Sequence, residues 1–398
     1  MDTIFTEYRA ELNNELENIL DYWSRKMKDE ANGGFYGRID GRNVLHPLSE
    51  KGSVLNARIL WTFSAAYNLT LKREYLDIAL TQYNYIKQYF FDAEFGGVYW
   101  SVDYKGNPVN ARKQIYGQAF VLYALSEFYM ATKNTSALTL AVELFHLIEK
   151  YSYDEVLGGY FEAFTRDWKL ESDLRLSDKD ENEKKTMNTH LHVIEGYAAL
   201  YRVWKDQKLK VKILHLLSVF SEKIFNSQTK HLELFFDEQW NNHHHIISYG
   251  HDIEAGWLLQ DAAEIIEDTA WVDITKGLAL DLTNGCFEAL DEDGGLWYER
   301  TNTGYVYEKH WWPQAEAMVG FFNMYENSSD KKYLRQSLNS WHFVQQKLLD
   351  TTHGEWYWGI DKDGSIMEKE DKAGFWKCPY HNGRACIEII KRINKLES

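Results

Sequence analysis

The 398-residue chain has few cysteines, few prolines and no long apolar segment, and these shortages exclude several classes of protein. The three cysteines are an odd number without CxxC spacing, so they give neither a disulfide framework nor a thiolate metal site and suit a reducing compartment. No segment reaches the roughly 18 apolar residues that a membrane span requires. The acidic stretch 1–23 lacks the basic and apolar regions of a secretory signal. We therefore predict a cytoplasmic protein with no membrane partner.

Basic side chains are also scarce, at 44 against 60 acidic ones, which gives a formal charge of −16. A nucleic-acid-binding surface is basic, so nucleic acid is not an expected partner. Hydrophobic residues make up 44% of the chain, which is too many for a disordered protein. Aromatic residues are abundant, and 15 of them are tryptophans. Most aromatic rings belong to a core, but indoles also bind sugars, whose rings present apolar C–H faces.

One short phrase recurs through the chain. Its copies are GGFYGRIDGRN (33–43), GGVYWSVDYKGN (96–107), GGYFEAFTRDWK (158–169), a weaker LELFFDEQWN (232–241), GGLWYERTNTG (294–304) and GEWYWGIDKDG (354–364). With Gly34, Gly97, Gly159, Glu233, Gly295 and Glu355 taken as equivalent, the separations are 63, 62, 74, 62 and 60 residues. The chain therefore holds six repeats of one unit. The long third interval contains the charged stretch 171–185, which we interpret as an inserted loop.

Each phrase alternates aromatic and polar residues and then reaches Gly, Asn or Asp, which predicts a short β-hairpin. The segment before a hairpin is amphipathic at helical spacing, as in 73–90. Segments after the hairpins are apolar nearly all round, as in 119–131, 193–201 and 317–325, and such helices are buried on every side. Six amphipathic helices with one solvent-exposed face alternate with six buried helices. This order predicts an all-α fold, an (α/α)6 barrel with short hairpins, in a single domain over 1–398.

An open helical solenoid is the main alternative to the closed barrel. It is disfavoured because no strongly polar terminal repeats, which would cap a solenoid, are present. Pro313 and Pro379 stand where the last two buried helices are predicted to begin, and proline is favoured at the first helical positions.

The first turn of each buried helix departs from the apolar pattern. The six segments are SVLNAR (53–58), QIYGQ (114–118), MNTHLH (187–192), YGHDIEAGW (249–257), HWWPQAE (310–316) and KCPYHNGR (377–384). In a closed barrel they meet at one end and form one pocket. Asn188 and His192 are four residues apart and His251 and Glu254 three apart, so each pair shares a helix face, and Glu254 is placed to orient a nearby imidazole.

A single histidine on an apolar helix is more often a hydrogen-bonded core residue than a functional one. The coincidence of histidines and an arginine at equivalent repeat positions favours a site here. The run 243–245 is interpreted as a solvated turn. A zinc site from His190, His251 and His381 lacks HExxH or comparable ligand spacing, so no metal is predicted. No cofactor is predicted either, because no dinucleotide, Walker or pyridoxal motif is present.

Histidine suits proton transfer near neutral pH. Two histidines that face one carbon can remove a proton and return it from another direction, which is epimerisation or isomerisation. A proton that leaves a carbon α to a carbonyl generates an enediolate, and Arg58 together with the inward helix N-termini would stabilise that negative charge.

Four segments carry a family resemblance: NTHLHVIEGY, GHDIEAGWLL, KHWWPQAEAMVG and KCPYHNGRACIEI resemble the motifs of cellobiose 2-epimerases, which belong to the N-acylglucosamine 2-epimerase superfamily. The resemblance extends over almost the whole chain. It implies an (α/α)6 barrel that opens the reducing-end sugar, removes the C2 proton, passes through a cis-enediolate and reprotonates the other face. It also implies a β-1,4-linked disaccharide, such as cellobiose or lactose, as substrate, and no cofactor.

The resemblance further assigns roles to nine residues. His251 and His381 would be the acid/base pair at C2, and His192 would support proton transfer near O1 and the ring oxygen. Arg58 would hold the enediolate. The substrate-binding residues would be Tyr116, Asn188, Glu254, Trp312 and Trp376, the two tryptophans by stacking on sugar rings.

Alternatives remain open at this point. An N-acylglucosamine 2-epimerase is disfavoured because the resemblance to it is weaker around 378–382, and an aldose–ketose isomerase is a further possibility. In another class, a glycoside hydrolase would use Glu254 and Glu316 as its two carboxylates. A non-catalytic sugar-binding protein is the third alternative.

Overall fold

A computed structural model describes residues 2–397 of the chain. Within that range twelve α-helices alternate between two rings. The outer helices are α1 Asp2–Lys26, α3 Arg73–Tyr89, α5 Thr135–Tyr151, α7 Gln207–Val219, α9 Thr269–Gly285 and α11 Lys331–Phe343. The inner helices are α2 Ser53–Thr70, α4 Ile115–Thr132, α6 Met187–Val203, α8 Tyr249–Ile265, α10 Trp311–Ser328 and α12 Tyr380–Glu397.

The inner helices form a closed ring. Each packs on the next, in the order α2, α4, α6, α8, α10 and α12, and α12 packs back on α2. Each outer helix from α3 onward packs on the inner helix before it, and α1 covers α12. The (α/α)6 barrel predicted from the repeats is thereby confirmed, and the contact between α12 and α2 excludes the open solenoid.

Burial follows the two sequence patterns. In α2 every residue of 53–66 is buried, because this apolar helix has neighbours on both sides as well as outside. In α3 the buried residues lie on one face, while Glu74 and Lys87 are exposed. No helix within 2–397 has the length and apolar character to cross a membrane.

Short strands connect the repeats at one end of the barrel. They are β1 Lys51–Gly52, β2 Ser101–Val102, β3 Pro108–Asn110, β4 Lys113–Gln114, β5 Ala163–Phe164, β6 Lys185–Thr186, β7 Phe225–Asn226, β8 His231–Leu232, β9 Phe235–Phe236, β10 Ile247–Ser248, β11 Glu299–Thr301, β12 Gly304–Val306, β13 Lys309–His310 and β14 Gly359–Ile360. The strand directly before an inner helix pairs antiparallel with a strand of the next repeat: β1 with β2, β4 with β5, β6 with β9, β10 with β11 and β13 with β14. These strand pairs between neighbouring repeats place the N-termini of the inner helices at the same end of the barrel.

The hairpin turns explain the paired glycines of the repeated phrase. Gly96 and Gly97 both have positive φ, of 73° and 69°, which L side chains rarely adopt. A Cβ on Gly97 would also lie 2.8 Å from the ring of Trp168. In the fourth repeat Phe225 pairs with Leu232 as Phe91 pairs with Val98. The residue equivalent to Gly97 is therefore His231, and the alignment on Glu233 was wrong by two residues.

Each hairpin except the fourth is held by a buried lysine. The ion pairs are Lys51–Asp29 at 2.8 Å, Lys113–Asp92 at 2.9 Å, Lys185–Asp154 at 2.7 Å, Lys309–Asp291 at 2.7 Å and Lys372–Asp350 at 2.8 Å. In the fourth repeat Ile247 stands at the lysine position and Asn226 at the aspartate position, so both partners are replaced together. An unpaired buried charge is far more costly than a missing pair.

We expect Lys51→Met to destabilise the protein by about 3–5 kcal/mol, because Asp29 is fully buried and would lose its cationic partner. The double variant Lys51→Met with Asp29→Asn imitates the fourth repeat and should recover a large part of that loss. Chemical denaturation of the three proteins measures both effects. Equal destabilisation by the single and the double variant would contradict the account.

Candidate active site

A cavity of about 420 Å³ opens at the end of the barrel where the inner helices begin. Its wall takes at least one residue from the first two turns of every inner helix: Arg58 from α2, Tyr116 from α4, His192 from α6, His251 and Glu254 from α8, Trp312 from α10 and His381 from α12. Residues that are more than 300 positions apart in the chain therefore face one space.

All nine residues predicted for the site line this cavity. Besides those named above, Asn188 and Trp376 belong to its wall. The Asn188 side-chain oxygen is buried and has no hydrogen-bond partner within 2–397. The structure therefore brings the whole predicted set together. His310, directly before α10, also lines the cavity, and its Nε2 lies 2.8 Å from a Glu308 carboxylate oxygen. Gln118 and His190, which also stand in first-turn segments, do not line it.

Gln118 and His190 hold hairpins in place. Gln118 accepts a hydrogen bond from the Val98 N–H at 2.7 Å and donates one to the Val98 carbonyl at 2.8 Å. His190 is buried, and its Nε2 accepts from the Tyr160 N–H at 2.8 Å while its Nδ1 lies 2.7 Å from the Thr186 carbonyl. Both ring nitrogens of His190 are thus engaged by backbone, so it is not available to the zinc site considered with His251 and His381.

The three histidines predicted for the site are each anchored through Nδ1. Nδ1 of His192 lies 2.8 Å from a Glu195 carboxylate oxygen, and Nδ1 of His381 lies 2.7 Å from Glu316 Oε1. Nδ1 of His251 lies 2.8 Å from the hydroxyl oxygen of Ser248. Within 2–397 the Nε2 atoms make no hydrogen bond, so Nε2 is the ring nitrogen that each histidine offers to a ligand.

Burial keeps these imidazoles neutral. It lowers the pKa of His251 to about 3, and it lowers that of His381 to about 3 although Glu316 opposes the shift. The pKa of His192 is lowered for the same reason, against the opposing effect of Glu195. A neutral imidazole has a free lone pair, which is the form that a general base requires.

Arg58 provides the positive charge on the part of the cavity wall that the inner helices form, and Arg175 and Lys179 of the inserted segment line the wall as well. Its Nη2 donates to the Tyr116 hydroxyl at 2.9 Å, and its guanidinium lies 4.3 Å from the ring centre of Phe120 and 4.8 Å from that of Tyr380. None of the ion pairs within 2–397 involves Arg58, whereas Arg175 pairs with Asp173 and Lys179 with Glu370. The charge of Arg58 is therefore directed at whatever occupies the cavity.

Tryptophans form the apolar part of the wall. The ring centre of Trp312 is 4.6 Å from that of His251 and 5.7 Å from that of His381, so Trp312 bridges the two histidines. Gly250 makes room for it, because a Cβ there would lie 2.5 Å from the indole. Trp376 packs edge-on against Tyr116, with ring centres 6.0 Å apart. Flat apolar faces beside polar groups are typical of sugar sites.

Behind the cavity, one buried guanidinium joins three carboxylates. Arg384 Nη2 donates to Glu254 Oε1 and, at 2.6 Å, to Glu316 Oε1, and Nη1 donates to Glu195. Burial and the neighbouring negative charge of Glu316 raise the pKa of Glu254. Burial also acts to raise the pKa of Glu316, but Arg384 and His381 outweigh it and lower that pKa. The opposite directions of the two shifts make Glu316 the more acidic of the two carboxyls.

This arrangement bears on two alternatives. Glu254 and Glu316 bind the same guanidinium nitrogen and Glu316 is not part of the cavity wall, so they do not flank a substrate bond as hydrolase carboxylates do. Glu254, Glu316 and His381 have potential ligand atoms within 4.8 Å of one another. Arg384 already supplies the cation to both carboxylates, which makes this set a poor match for a metal ion.

Sequence reasoning did not assign roles to Glu195, Ser248 and Arg384. Glu195 follows His192 by three residues, the spacing used for His251 and Glu254, so helical spacing was a sufficient signal for it. Ser248 directly precedes α8, where serine is a common helix cap. The contacts of Arg384 join α12 to α6, α8 and α10, and no spacing along the chain indicates them.

The inserted segment forms the outer wall of the cavity. It has no helix or strand between 171 and 184, in line with the predicted loop, and 174–181 line the cavity. Arg112 Nη2 donates to the Arg175 carbonyl at 2.6 Å, and Gln114 donates to the Leu174 carbonyl at 3.0 Å. In the loop 243–245, His243 and His245 are exposed as expected, but half-buried His244 contacts Glu183 of the insertion at 3.1 Å.

Comparison with known proteins gives consistent results. The profile of the family described as N-acylglucosamine 2-epimerase (GlcNAc 2-epimerase) matches residues 33–385. The chain is 48% identical to a cellobiose 2-epimerase of Bacteroides fragilis over 385 residues, which cover 96% of this chain and 98% of that protein. It is 40% identical to a cellobiose 2-epimerase of Dictyoglomus turgidum, over 97% of this chain and 98% of the relative.

Solved structures agree with these relatives. Cellobiose 2-epimerase from Bacillus thermoamylovorans superimposes with a TM-score of 0.92 at 42% identity, over 98% of this chain and all of that one. A D-mannose isomerase superimposes with a TM-score of 0.84 at 22% identity, over 96% of this chain and 98% of that one, which shows the shared fold alone.

Proposed function

Because the chain belongs to the N-acylglucosamine 2-epimerase family, and because relatives that match its full length show it to be a carbohydrate epimerase, we propose that it interconverts glucose and mannose at the reducing end of β-1,4-linked disaccharides. Cellobiose and lactose are the expected substrates, and the whole chain acts as one catalytic domain. The reaction moves the proton on C2 and needs no cofactor.

The observation that carries the proposal is the set of three anchored, neutral imidazoles around one cavity that also contains an arginine without a carboxylate partner. Proton removal from C2 requires a neutral base close to the carbon. It also requires a cation where negative charge develops on O1 and O2. His251, His381 and Arg58 supply these groups on facing helices.

The first step opens the sugar ring. A proton leaves the O1 hydroxyl and another reaches the ring oxygen, which breaks the C1–O5 bond and forms the C1 aldehyde. His192 lies beside Tyr116, with ring centres 5.0 Å apart, and its Nδ1 is held by Glu195. We assign this proton exchange to His192 Nε2.

The second step transfers the C2 proton to an imidazole. The C2–H electrons form the C1=C2 bond, and the carbonyl electrons move to O1 and give the enediolate, which Arg58 stabilises. Rotation about C2–C3 then presents the other face of C2 to the second histidine. That histidine, which has taken up a proton from solvent on Nε2, gives this proton to C2; the C1=C2 electrons form the new C2–H bond and the O1 electrons restore the carbonyl. The first histidine releases its proton to solvent, and the C2 epimer closes its ring.

The anchors of the two histidines differ, and this difference assigns their roles. A carboxylate at Nδ1 stabilises an imidazolium more than a hydroxyl does. Glu316 therefore makes His381 the more readily protonated of the two, and we assign to His381 the proton that is returned to C2. His251, with a hydroxyl at Nδ1, starts neutral and removes the C2 proton. The enediolate itself adds negative charge to the cavity, which favours the protonated His381. In the reverse direction the proton follows the same path backwards.

The tryptophans are proposed to bind the two sugar rings. Trp376→Ala should raise KM for cellobiose about tenfold and lower kcat by a smaller factor, because stacking on a sugar face is lost in the ground state and the transition state alike. Initial rates over a range of cellobiose concentrations separate the two constants. A fall in kcat with KM unchanged would contradict a binding role for Trp376.

Product analysis tests the proposed function directly. The wild-type protein is incubated with cellobiose, and the mixture is separated by chromatography. We expect a second disaccharide with a mannose reducing end. Free glucose would identify a glycoside hydrolase, a ketose as the main product would identify an isomerase, and unchanged cellobiose beside converted N-acetylglucosamine would identify an N-acylglucosamine 2-epimerase.

A further inference from the structure

Arg384 is fully buried behind the cavity and does not contribute to its wall. Its guanidinium is surrounded by side chains on four inner helices and lies 4.8 Å from the ring centre of Trp257 and 4.3 Å from that of Tyr380. We propose that Arg384 is a positioning residue that connects two of the cavity histidines, by keeping the carboxylates at their Nδ1 atoms ionised. This inference rests on the proposed function.

The contacts form one continuous chain from histidine to histidine. His192 Nδ1 is bonded to Glu195, Glu195 Oε1 to Arg384 Nη1, Arg384 Nη2 to Glu316 Oε1, and Glu316 Oε1 to His381 Nδ1. Tyr380 adds a hydroxyl that donates to Glu195 Oε1. No other cation within 2–397 forms an ion pair with Glu195 or Glu316, apart from the two histidines themselves.

The charge on these two carboxylates decides which tautomer each imidazole adopts. An ionised carboxylate only accepts hydrogen bonds, so it requires a proton on Nδ1 and leaves the lone pair on Nε2, the nitrogen at the cavity. A protonated carboxyl would instead donate to Nδ1 and place the proton on Nε2. The histidine would then have no lone pair on Nε2 with which to take up a proton at the cavity.

Burial alone would favour the protonated carboxyls. Burial raises the pKa of Glu195 and of Glu316, and in both cases the largest opposing effect comes from Arg384, which leaves each pKa below its ordinary value. The third carboxyl at the guanidinium, Glu254, has a raised pKa, and its buried Oε2 has no partner within 2–397. Because Glu254 lines the cavity, its protonated carboxyl would supply a hydrogen-bond donor for a sugar hydroxyl.

Arg384→Met tests the proposal, because methionine fills a similar volume without charge. We expect kcat for cellobiose epimerisation to fall about 100-fold or more at neutral pH, with a smaller change in KM. Without the guanidinium the pKa of Glu316 and of Glu195 rises, so the acidic limb of the kcat profile should move up by about one pH unit or more. Part of the lost activity should return at higher pH, which a merely structural defect would not produce.

Arg392→Met is the matched control. Arg392 lies two turns further along α12, 6.0 Å from the ring centre of the same Trp257, and its ion pair is with Glu326. This variant should keep the wild-type pH profile. A pH profile of Arg384→Met that coincides with that of the wild type would overturn the proposal.

If the methionine variant does not fold, Arg384→Lys takes its place. We expect this variant to shift the acidic limb of the kcat profile in the same direction and to lose less kcat. The wild type gives an independent measurement through two-bond nitrogen–proton NMR of its imidazoles. We expect the Nδ1–H tautomer for His192 and His381, and Nε2–H for either would overturn the proposal. An inactive wild type would contradict the proposed function. The tautomers measured in that same protein would still test the proposed role of Arg384, because they do not depend on activity.

Discussion

His381→Asn is expected to lower kcat for cellobiose epimerisation by about 100-fold or more, because the variant lacks the proton donor to one face of C2. Asparagine keeps a polar group beside Glu316 and fills most of the vacated volume, so the fold should be retained. Circular dichroism and initial rates measure the two properties.

His243→Asn is the control for this variant, since His243 is exposed in the loop 243–245 and away from the cavity. It should keep the wild-type kcat. Substantial epimerase activity in His381→Asn would contradict the assignment of His381 as acid/base residue.

Arg58→Met is expected to lower kcat by about 100- to 1,000-fold, which corresponds to about 3–4 kcal/mol of transition-state stabilisation. The enediolate carries its charge on O1 and O2, and Arg58 is the cation that the inner helices contribute to the cavity wall. KM should change much less, because the neutral substrate gains less than the enediolate from a positive charge.

Tyr116→Phe separates the charge of Arg58 from its position. The tyrosine hydroxyl accepts from Arg58 at 2.9 Å, so its removal loosens the guanidinium but keeps its charge. We expect a loss of about tenfold, at the lower end of the range for one hydrogen bond to a charged group, because the charge itself remains. An effect in Tyr116→Phe as large as that in Arg58→Met would show that placement, not charge, dominates.

Much of the fold could be predicted because the repeat imposes the same pattern six times. The apolar segment 119–131 has no polar face, and only an inner ring buries such a helix on every side. The fourth hairpin was misaligned by two residues because His231 stands where the other repeats have glycine, with Lys230 supplying the positive φ of 64° before it. The fourth copy of the repeated phrase has no glycine, so the sequence offered no position on which to align it.

The sequence predicted which helices supply the site residues, but it did not predict in every case which way their side chains point. His190 and His192 lie in the same turn of α6, yet they point in directions about 200° apart because each helical residue advances by about 100°. His190 consequently binds the hairpin backbone and His192 faces the cavity. The histidine motifs predicted the cavity residues, whereas the anchors required the arrangement of neighbouring helices.

The insertion shows a second limit of sequence reasoning. Its charges indicated a solvated loop, which is correct for its backbone, but composition does not reveal that it folds over the cavity. The anchoring hydrogen bonds run from Arg112 and Gln114 to its carbonyl groups, and backbone acceptors are present in every sequence.

The most direct measurement of the central claim is proton NMR of cellobiose with the wild-type protein in deuterium oxide. Two histidines that exchange protons with solvent predict a mannose reducing end that carries deuterium at C2, with the glycosidic bond intact. A mannose product that retains protium at C2, or a disaccharide that stays unchanged, would contradict proton transfer by the histidines of this cavity.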